Sequence, residues 1–418
     1  MKNIFKSIWK FLIAFGPGLF CIGYTMGTGS VTSMVKAGSD YGSSLLWVLF
    51  LSCLFSFVLM EAYGRYAVVM GGTAIHSIKT KLKGGRVLAV LVAVGIILGQ
   101  WSCLSGILSI TSNAIGELVG LFIPSVENTY VLTLVIAVLI ISIMYLMLIK
   151  GDYSFFEKFL VVLVTVMGLA FIISMFIVLP PAGEIAKGFV PSIPDESGAK
   201  LMIAAFVGTT MAAPTFVVRP LLLKKKGLTV KDVKQQTKDC LFSASLMFVI
   251  SASIMITAVG VLFTEGKTVT KVLDMVYVLE PVAGRFAVAL FIVGLMSAGL
   301  SSIFPILMVA PLMVSDYKAG EMNTKTPYFK YITAVAACIG LTIPVLGFNP
   351  IVAQVATQVA NVFVLPLVSG LIIILVNRRS EMQNHKAGWL LNIGMVTAFI
   401  FSCVIAYTGV LSLIDLLK

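Results

Sequence analysis

The chain has 418 residues, of which 59% are hydrophobic and 11% charged, with Lys+Arg 30 against Asp+Glu 18 and a formal charge of +12. A water-soluble chain carries roughly 25% charged residues, so a soluble globular protein is excluded. At about 20 apolar residues per crossing, the length accommodates about ten to twelve membrane helices and no extramembrane domain.

In chain order the apolar segments are Lys10 to Met34 (interrupted), Leu45 to Met70, Val87 to Phe122, Tyr130 to Ile149, Phe155 to Leu179, Leu201 to Leu223 (interrupted), Cys240 to Phe263, Phe286 to Val314, Tyr331 to Leu346, Ile351 to Val376 and Leu390 to Leu417. Trp9, Trp47 and Trp389 stand at segment ends, where amphipathic rings favour the interface. A cytoplasmic N-terminus leaves only Lys36, Lys187, Lys200, Lys267, Lys271, Arg285 and Lys418 on the far side, so the basic excess obeys the positive-inside rule. The charge is therefore topological and implies no nucleic-acid partner. An odd number of crossings places the C-terminus outside, in a cell membrane. The opening lysines and apolar run mimic a secretory signal, but Gly16, Pro17 and Gly18 interrupt the run and no A-x-A cleavage pattern follows.

Two segments contain residues that cannot continue a helix. The first holds Tyr24-Thr25-Met26-Gly27-Thr28-Gly29-Ser30, and the sixth holds Thr209-Thr210-Met211-Ala212-Ala213-Pro214-Thr215. Backbone freed in this way inside a membrane is tolerated only where protein or a water-filled cavity satisfies it. The interruptions lie five spans apart, which predicts an inverted repeat. The expected fold is a single transmembrane domain, 1–418, with one five-helix repeat over about 8–179, a second over about 199–376 and an eleventh helix over about 387–417. The second half-helices are expected to begin near Ser30 and Thr215, each presenting free N–H groups to the gap between the breaks, while the preceding halves present carbonyls. Thr25, Thr28, Ser30, Thr209, Thr210 and Thr215 add hydroxyls.

Other polar residues fall inside the spans. Glu61 and Arg65 are an i,i+4 pair on the second, read either as a structural ion pair or as a gate or proton-coupling element, with Glu61 as the best titratable candidate. Arg219 follows the sixth break by one turn; it either gates the inner side or snorkels to the interface. Gln354, Gln358 and Asn361 share one helical face of the tenth span, as an interhelical stripe or a substrate-facing wall. Ser301 and Ser302 on the eighth are placed to complete a small-cation site with first-helix carbonyls. The six cysteines lie in or at the edge of apolar segments without C-x-x-C spacing and read as buried small hydrophobes. No His, Cys pair or paired carboxylates lie within the spans, which argues against an enzyme and against a cofactor.

In order and spacing, several motifs resemble the Nramp family of proton-coupled divalent-metal transporters. They are Gly16-Pro17-Gly18, Ala37-Gly38, Tyr41-Gly42, Leu45-Leu46-Trp47, the run from Gly294 to Ser302, and Leu365-Pro366. The resemblance implies an all-α LeuT-type fold of eleven helices, a 5+5 inverted repeat plus one, with helices one and six broken at the midplane. It places the family's D-P-G-N metal motif on Gly27-Thr28-Gly29-Ser30 and its M-P-H on Ala213-Pro214-Thr215, so the carboxylate, amide, thioether and imidazole are all replaced. The backbone carbonyls of Tyr24 and Thr210 carry over as metal ligands. The family's acidic relay positions on the third helix find no carboxylate; that helix offers Gln100, Ser102, Ser105, Ser109 and Thr111. The resulting expectation is a secondary transporter working by alternating access on a divalent metal cation, held at a carboxylate-free site and hydrated in the manner of Mg²⁺. The alternative is a proton- or sodium-coupled transporter of a small organic solute bearing a carboxylate, such as an amino acid. Apart from substrate and membrane lipid no partner is expected, and the protein is expected to be a monomer.

Overall fold

The computed structural model describes residues 21–123, 129–150, 165, 168–196, 198–280, 287–382 and 385–416. Trp9, the Gly16-Pro17-Gly18 motif, the first half of the first span and most of the fifth lie outside the described residues. Within them the fold is all-helical, and nine helices are long and apolar enough to cross a membrane.

The first span continues as α1 (Thr28–Tyr41), followed by α2 (Leu46–Met70), the short α3 (Ala74–Lys81), α4 (Gly85–Phe122), α5 (Tyr130–Lys150) and α6 (Gly168–Ile177). The sixth span comprises α7 (Ala199–Thr210), α8 (Ala213–Val217) and α9 (Arg219–Lys225). Then come α10 (Val233–Ala258), α11 (Ala287–Ala319), α12 (Pro327–Gly340), α13 (Pro350–Val359), α14 (Leu365–Val376) and α15 (Trp389–Leu416). Apolar runs make these helices, and local chemistry ends them. Gly71 closes α2 in the left-handed conformation (φ 61°), donating its N–H to Ala67 O. Asn349 caps α13 by accepting from the Ile351 and Val352 N–H groups at 3.0 and 3.2 Å, with Pro350 in the first turn. That cap sets the rotation of α13, which carries Gln354 and Gln358.

The centre of the bundle is α1, packed on α10 and α7, with α4 against α11 and α13 on the other side. At one end, where Lys79, Lys81, Lys224 and Arg378 gather, the buried Asp316 of α11 accepts from the N–H groups of Ile75 and His76 at 3.0 and 3.2 Å and from the Thr73 hydroxyl. A carboxylate at a helix N-terminus satisfies donors that the helix leaves open, and here it pins α3 to α11.

Near the same end two opposite-charge pairs meet, with Glu61, Arg219 and Asp239 buried and Arg65 partly exposed. Arg65 Nη2 lies 2.6 Å from Glu61 Oε1, and Glu61 Oε2 accepts from Gln236 Nε2 at 2.6 Å. Gln236 Oε1 in turn accepts from Arg219 Nη2 at 3.1 Å, and Arg219 Nη2 reaches Asp239 Oδ2 at 2.6 Å. Arg219 is fully buried. It neither snorkels nor faces a substrate cavity, because Asp239 neutralises it within the bundle. Glu61 is likewise not the one carboxylate inside a helix: Glu117 lies in α4 and Asp415 in α15, within the spans themselves, and Asp239 and Asp316 are buried in α10 and α11, just beyond the bounds that hydropathy drew at Cys240 and Val314. The network ties α2, α9 and α10 together behind the sixth-span break. Removing one partner of a buried pair costs about 3–5 kcal/mol, whereas replacing both with apolar groups of similar volume is often neutral. Asp239→Ala is therefore expected to lower the melting temperature sharply in detergent, and Arg219→Met with Asp239→Leu to recover most of the loss. A single variant that melts like the parent contradicts this reading.

Candidate functional site

The first helix ends at Ile22, and the chain unwinds through Gly23 to Gly27 before α1 starts at Thr28. In the sixth span Met211 and Ala212 are unwound and α8 starts at Ala213, with Pro214 in its first turn, where its missing N–H is no loss. Both half-helices begin two residues earlier than the hydroxyl residues Ser30 and Thr215 suggest, because extended backbone at Gly27 and Ala212 does the capping.

Much of the freed backbone is satisfied by protein. Thr25 O accepts from Thr209 Oγ1 at 3.2 Å, Thr210 O from Ser56 Oγ at 2.9 Å, and Gly23 O from Ser302 Oγ at 2.8 Å. Of the two serines expected beside the first-helix carbonyls, Ser302 reaches them; Ser301 donates to Ala298 O of its own helix at 2.8 Å.

Among the described residues an open space lies beside the first break, on the side of α4, α11 and α13. A narrow cavity with about 230 Å³ of atom-free space is bounded by Tyr24, Gly27 and Gly29 of the first span, Thr209 of α7, Gln100, Cys103 and Ile107 of α4, Ser302 and Ile306 of α11, Gln358 of α13, and Asn361 in the 3-10 turn Ala360–Val364. A water-sized body has little room to move within it. The lining is uncharged and internally bonded. Gln100 Nε2 donates to Asn361 Oδ1 at 2.8 Å, and Asn361 Nδ2 donates to Gly208 O at 3.2 Å and to Cys103 Sγ at 3.0 Å. Gln100 Oε1 and both polar atoms of Gln354 are buried without a hydrogen-bond partner. Among the described residues no three His, Cys, Asp or Glu side chains converge.

Of the residues expected at a substrate site, Tyr24, Gly27, Gly29, Gln358 and Ser302 line this cavity. Gln354 sits just behind Gly29, its Nε2 2.6 Å from where a Cβ on Gly29 would stand. Thr28, Ser30, Thr210, Ala213, Pro214 and Thr215 are buried away from it. Ser30 Oγ turns to Ser251 Oγ at 3.5 Å, and Thr215 O accepts from Cys21 Sγ at 3.4 Å. Glu61, Arg65 and Arg219 belong to the charge network and do not line the cavity. Sequence reasoning missed Cys103, which was read as an inert hydrophobe. The available signal was the i, i+3, i+7 spacing of Gln100, Cys103 and Ile107, one face of α4.

Glycines at the first break let neighbouring side chains pack closely against it. A Cβ on Gly27 would stand 2.2 Å from Ser302 Oγ and 2.9 Å from Ser302 Cβ, and one on Gly29 would stand 2.0 Å from Gln358 Nε2. Gly27 itself has ordinary extended backbone (φ −108°), so space and not conformation demands the glycine. The position that the family resemblance gives to an aspartate is thus filled from α11 by Ser302. Overpacking of this kind costs about 1–3 kcal/mol. Gly27→Ala is expected to lower thermal stability by that amount and Ser302→Gly to restore part of it in the double variant; an unchanged melting temperature for Gly27→Ala contradicts the packing described.

Comparison with known proteins places these observations. The sequence model of the natural resistance-associated macrophage protein-like (Nramp) family matches residues 18–412. The divalent metal cation transporter MntH of Brucella suis biovar 1 is 26% identical over 318 residues, covering 72% of this chain and 66% of that protein. The natural resistance-associated macrophage protein 2 homolog of Dictyostelium discoideum is 24% identical over 384 residues, covering 87% and 58%. The chain thus spans somewhat less than two thirds of the length of these two relatives. MntH of Bacillus subtilis is 23% identical over 430 residues, covering 98% and 93%. Crystal structures of the Eremococcus coleocola manganese transporter share the fold with a TM-score of 0.72 at 17% identity, covering 97% of this chain and 87% of that one. The nucleobase-cation-symport-1 transporter Mhp1 does so at 0.58 and 13%, covering 96% and 90%. The match along nearly the whole length, on a fold with broken first and sixth spans, shows that this chain belongs to the Nramp family.

Proposed function

We propose that this protein is a secondary transporter that carries a divalent metal cation across the membrane, binding it in the narrow uncharged cavity beside the first helix break. The observation that carries the reading is the size and lining of that cavity: little more than a water-sized space, faced by amide, hydroxyl and backbone groups. The carboxylate-bearing alternative relied on Arg219 as a counter-charge, and Arg219 is occupied by Asp239. Names of relatives point the same way, since several are divalent metal cation transporters and one solved relative is a manganese transporter.

Space also bears on which cation. Mg²⁺ dehydrates reluctantly and keeps several waters, so a cavity this narrow favours an ion that exchanges water for protein oxygens, with Gln358 and the Tyr24 and Gly27 backbone as its neighbours. Thr210 contributes less than expected as a carbonyl ligand, because Ser56 already donates to it.

In this reading the first five-helix repeat, about 8–179, and the second, about 199–376, enclose the site, and α15 is appended. The end bearing Lys79, Lys224 and Arg378 is cytoplasmic, the C-terminus is outside, and the protein acts as a monomer with lipid around it. Glu61 and Arg65 act as a structural pair within the charge network, on helices that move as one body.

The test is uptake into proteoliposomes. Mn²⁺ should enter, and Gln358→Leu and Asn361→Leu should each weaken its apparent affinity by about tenfold or more, corresponding to about 1.4 kcal/mol. Absence of Mn²⁺, Ca²⁺ and Mg²⁺ uptake at millimolar concentration would overturn the proposal.

A further inference from the structure

A carboxamide offers an oxygen on one side and a nitrogen on the other, so which atom is left for a ligand depends on what holds its partner atom. On the α4 wall of the cavity that choice is forced from the sixth span. The Gly208 carbonyl of α7 can only accept, and it takes a hydrogen bond from Asn361 Nδ2 at 3.2 Å. Asn361 Oδ1 is thereby turned to Gln100, which donates to it from Nε2 at 2.8 Å. Turning the Gln100 amide over would set two oxygens face to face, so this relay has a single polarity.

The end left over is Gln100 Oε1. Gln100 lines the cavity and is 1% exposed, and among the described residues its Oε1 is buried without a hydrogen-bond partner. Other polar side chains of the lining are engaged. Thr209 and Ser302 donate to carbonyls freed at the first break, and Gln358 Oε1 accepts from the Cys103 thiol at 3.5 Å. A buried acceptor left without a donor is costly. Here the fold bears that cost and also fixes the direction of the oxygen, which is how a ligand is oriented by the groups behind it.

We propose that Gln100 Oε1 is a ligand of the transported cation, with Asn361 as the residue that positions it. This rests on the cation reading above and deepens it, by naming a residue that selects among cations. The broken spans then do not hold the ion alone: α4 adds a neutral oxygen whose direction is set by the backbone of α7. Carbonyl oxygen suits hard ions such as Mg²⁺, Ca²⁺ and Mn²⁺, whereas thioether sulfur suits soft ones, so the atom at this position biases the choice of ion.

The test exchanges that oxygen for sulfur. The full chain is purified in detergent with the two exposed cysteines replaced, Cys338→Ala and Cys403→Ala, and Mn²⁺ and Cd²⁺ binding are measured by calorimetry before and after Gln100→Met. Affinity for Mn²⁺ should fall about tenfold while that for Cd²⁺ holds or rises, so the preference moves towards Cd²⁺ by about tenfold or more. A side chain that only packs would weaken both ions alike; a parallel loss, or no change in either affinity, would overturn the proposal. Gln100→Asn keeps the amide but withdraws it by one methylene, and covers the case in which Gln100→Met does not fold. It should weaken Mn²⁺ several-fold, and parent-like Mn²⁺ binding by Gln100→Asn would also overturn the proposal. Either contrary result in a protein that still takes up Mn²⁺ leaves cation transport standing, whereas a parent that neither binds nor takes up any cation removes both readings.

Discussion

A helix broken inside an apolar bundle leaves N–H and C=O groups with no water to take them, and the cost of an unsatisfied group there is several kcal/mol. The centre of this protein is organised around that constraint. Ser56, Thr209 and Ser302, from three different helices, each give a hydroxyl to a carbonyl freed at one of the two breaks. Those bonds dictate which helices come close, and closeness dictates glycine at 27 and 29. The cavity is what remains once the breaks have been satisfied. Its lining is amide-rich because amides can both satisfy neighbours and leave one atom over, as Gln100 does.

Charge is handled by the same economy. Four charged side chains near the basic end, three of them buried, form two neutralising pairs joined through the Gln236 amide. Asp316 is likewise consumed by the N-terminus of α3.

Much of this was legible in the sequence. Gly27, Gly29 and Pro214 announced the broken spans because no other residues interrupt helices so plainly, and the stripe of Gln354, Gln358 and Asn361 marked a polar wall by its spacing. What escaped had physical reasons. Arg219 looked exposed because its partner Asp239 lies twenty residues on, outside a segment that hydropathy ended at the first charge. A lone cysteine in an apolar helix reads as a small hydrophobe, and only the structure places Cys103 at the cavity wall beside Asn361. Sequence shows where helices break but not which neighbour fills the gap; Ser302 fills part of it.

The central claim, that the cation site lies beside the first break on the side of α4 and α13, is tested most directly by anomalous diffraction from crystals of the protein grown with Mn²⁺. The account predicts one peak in the cavity, about 2–2.5 Å from the nearest oxygens, beside Gln100, Cys103 and Gln358. A peak between Gly27 and Pro214, against the α8 backbone and away from α4, would contradict it.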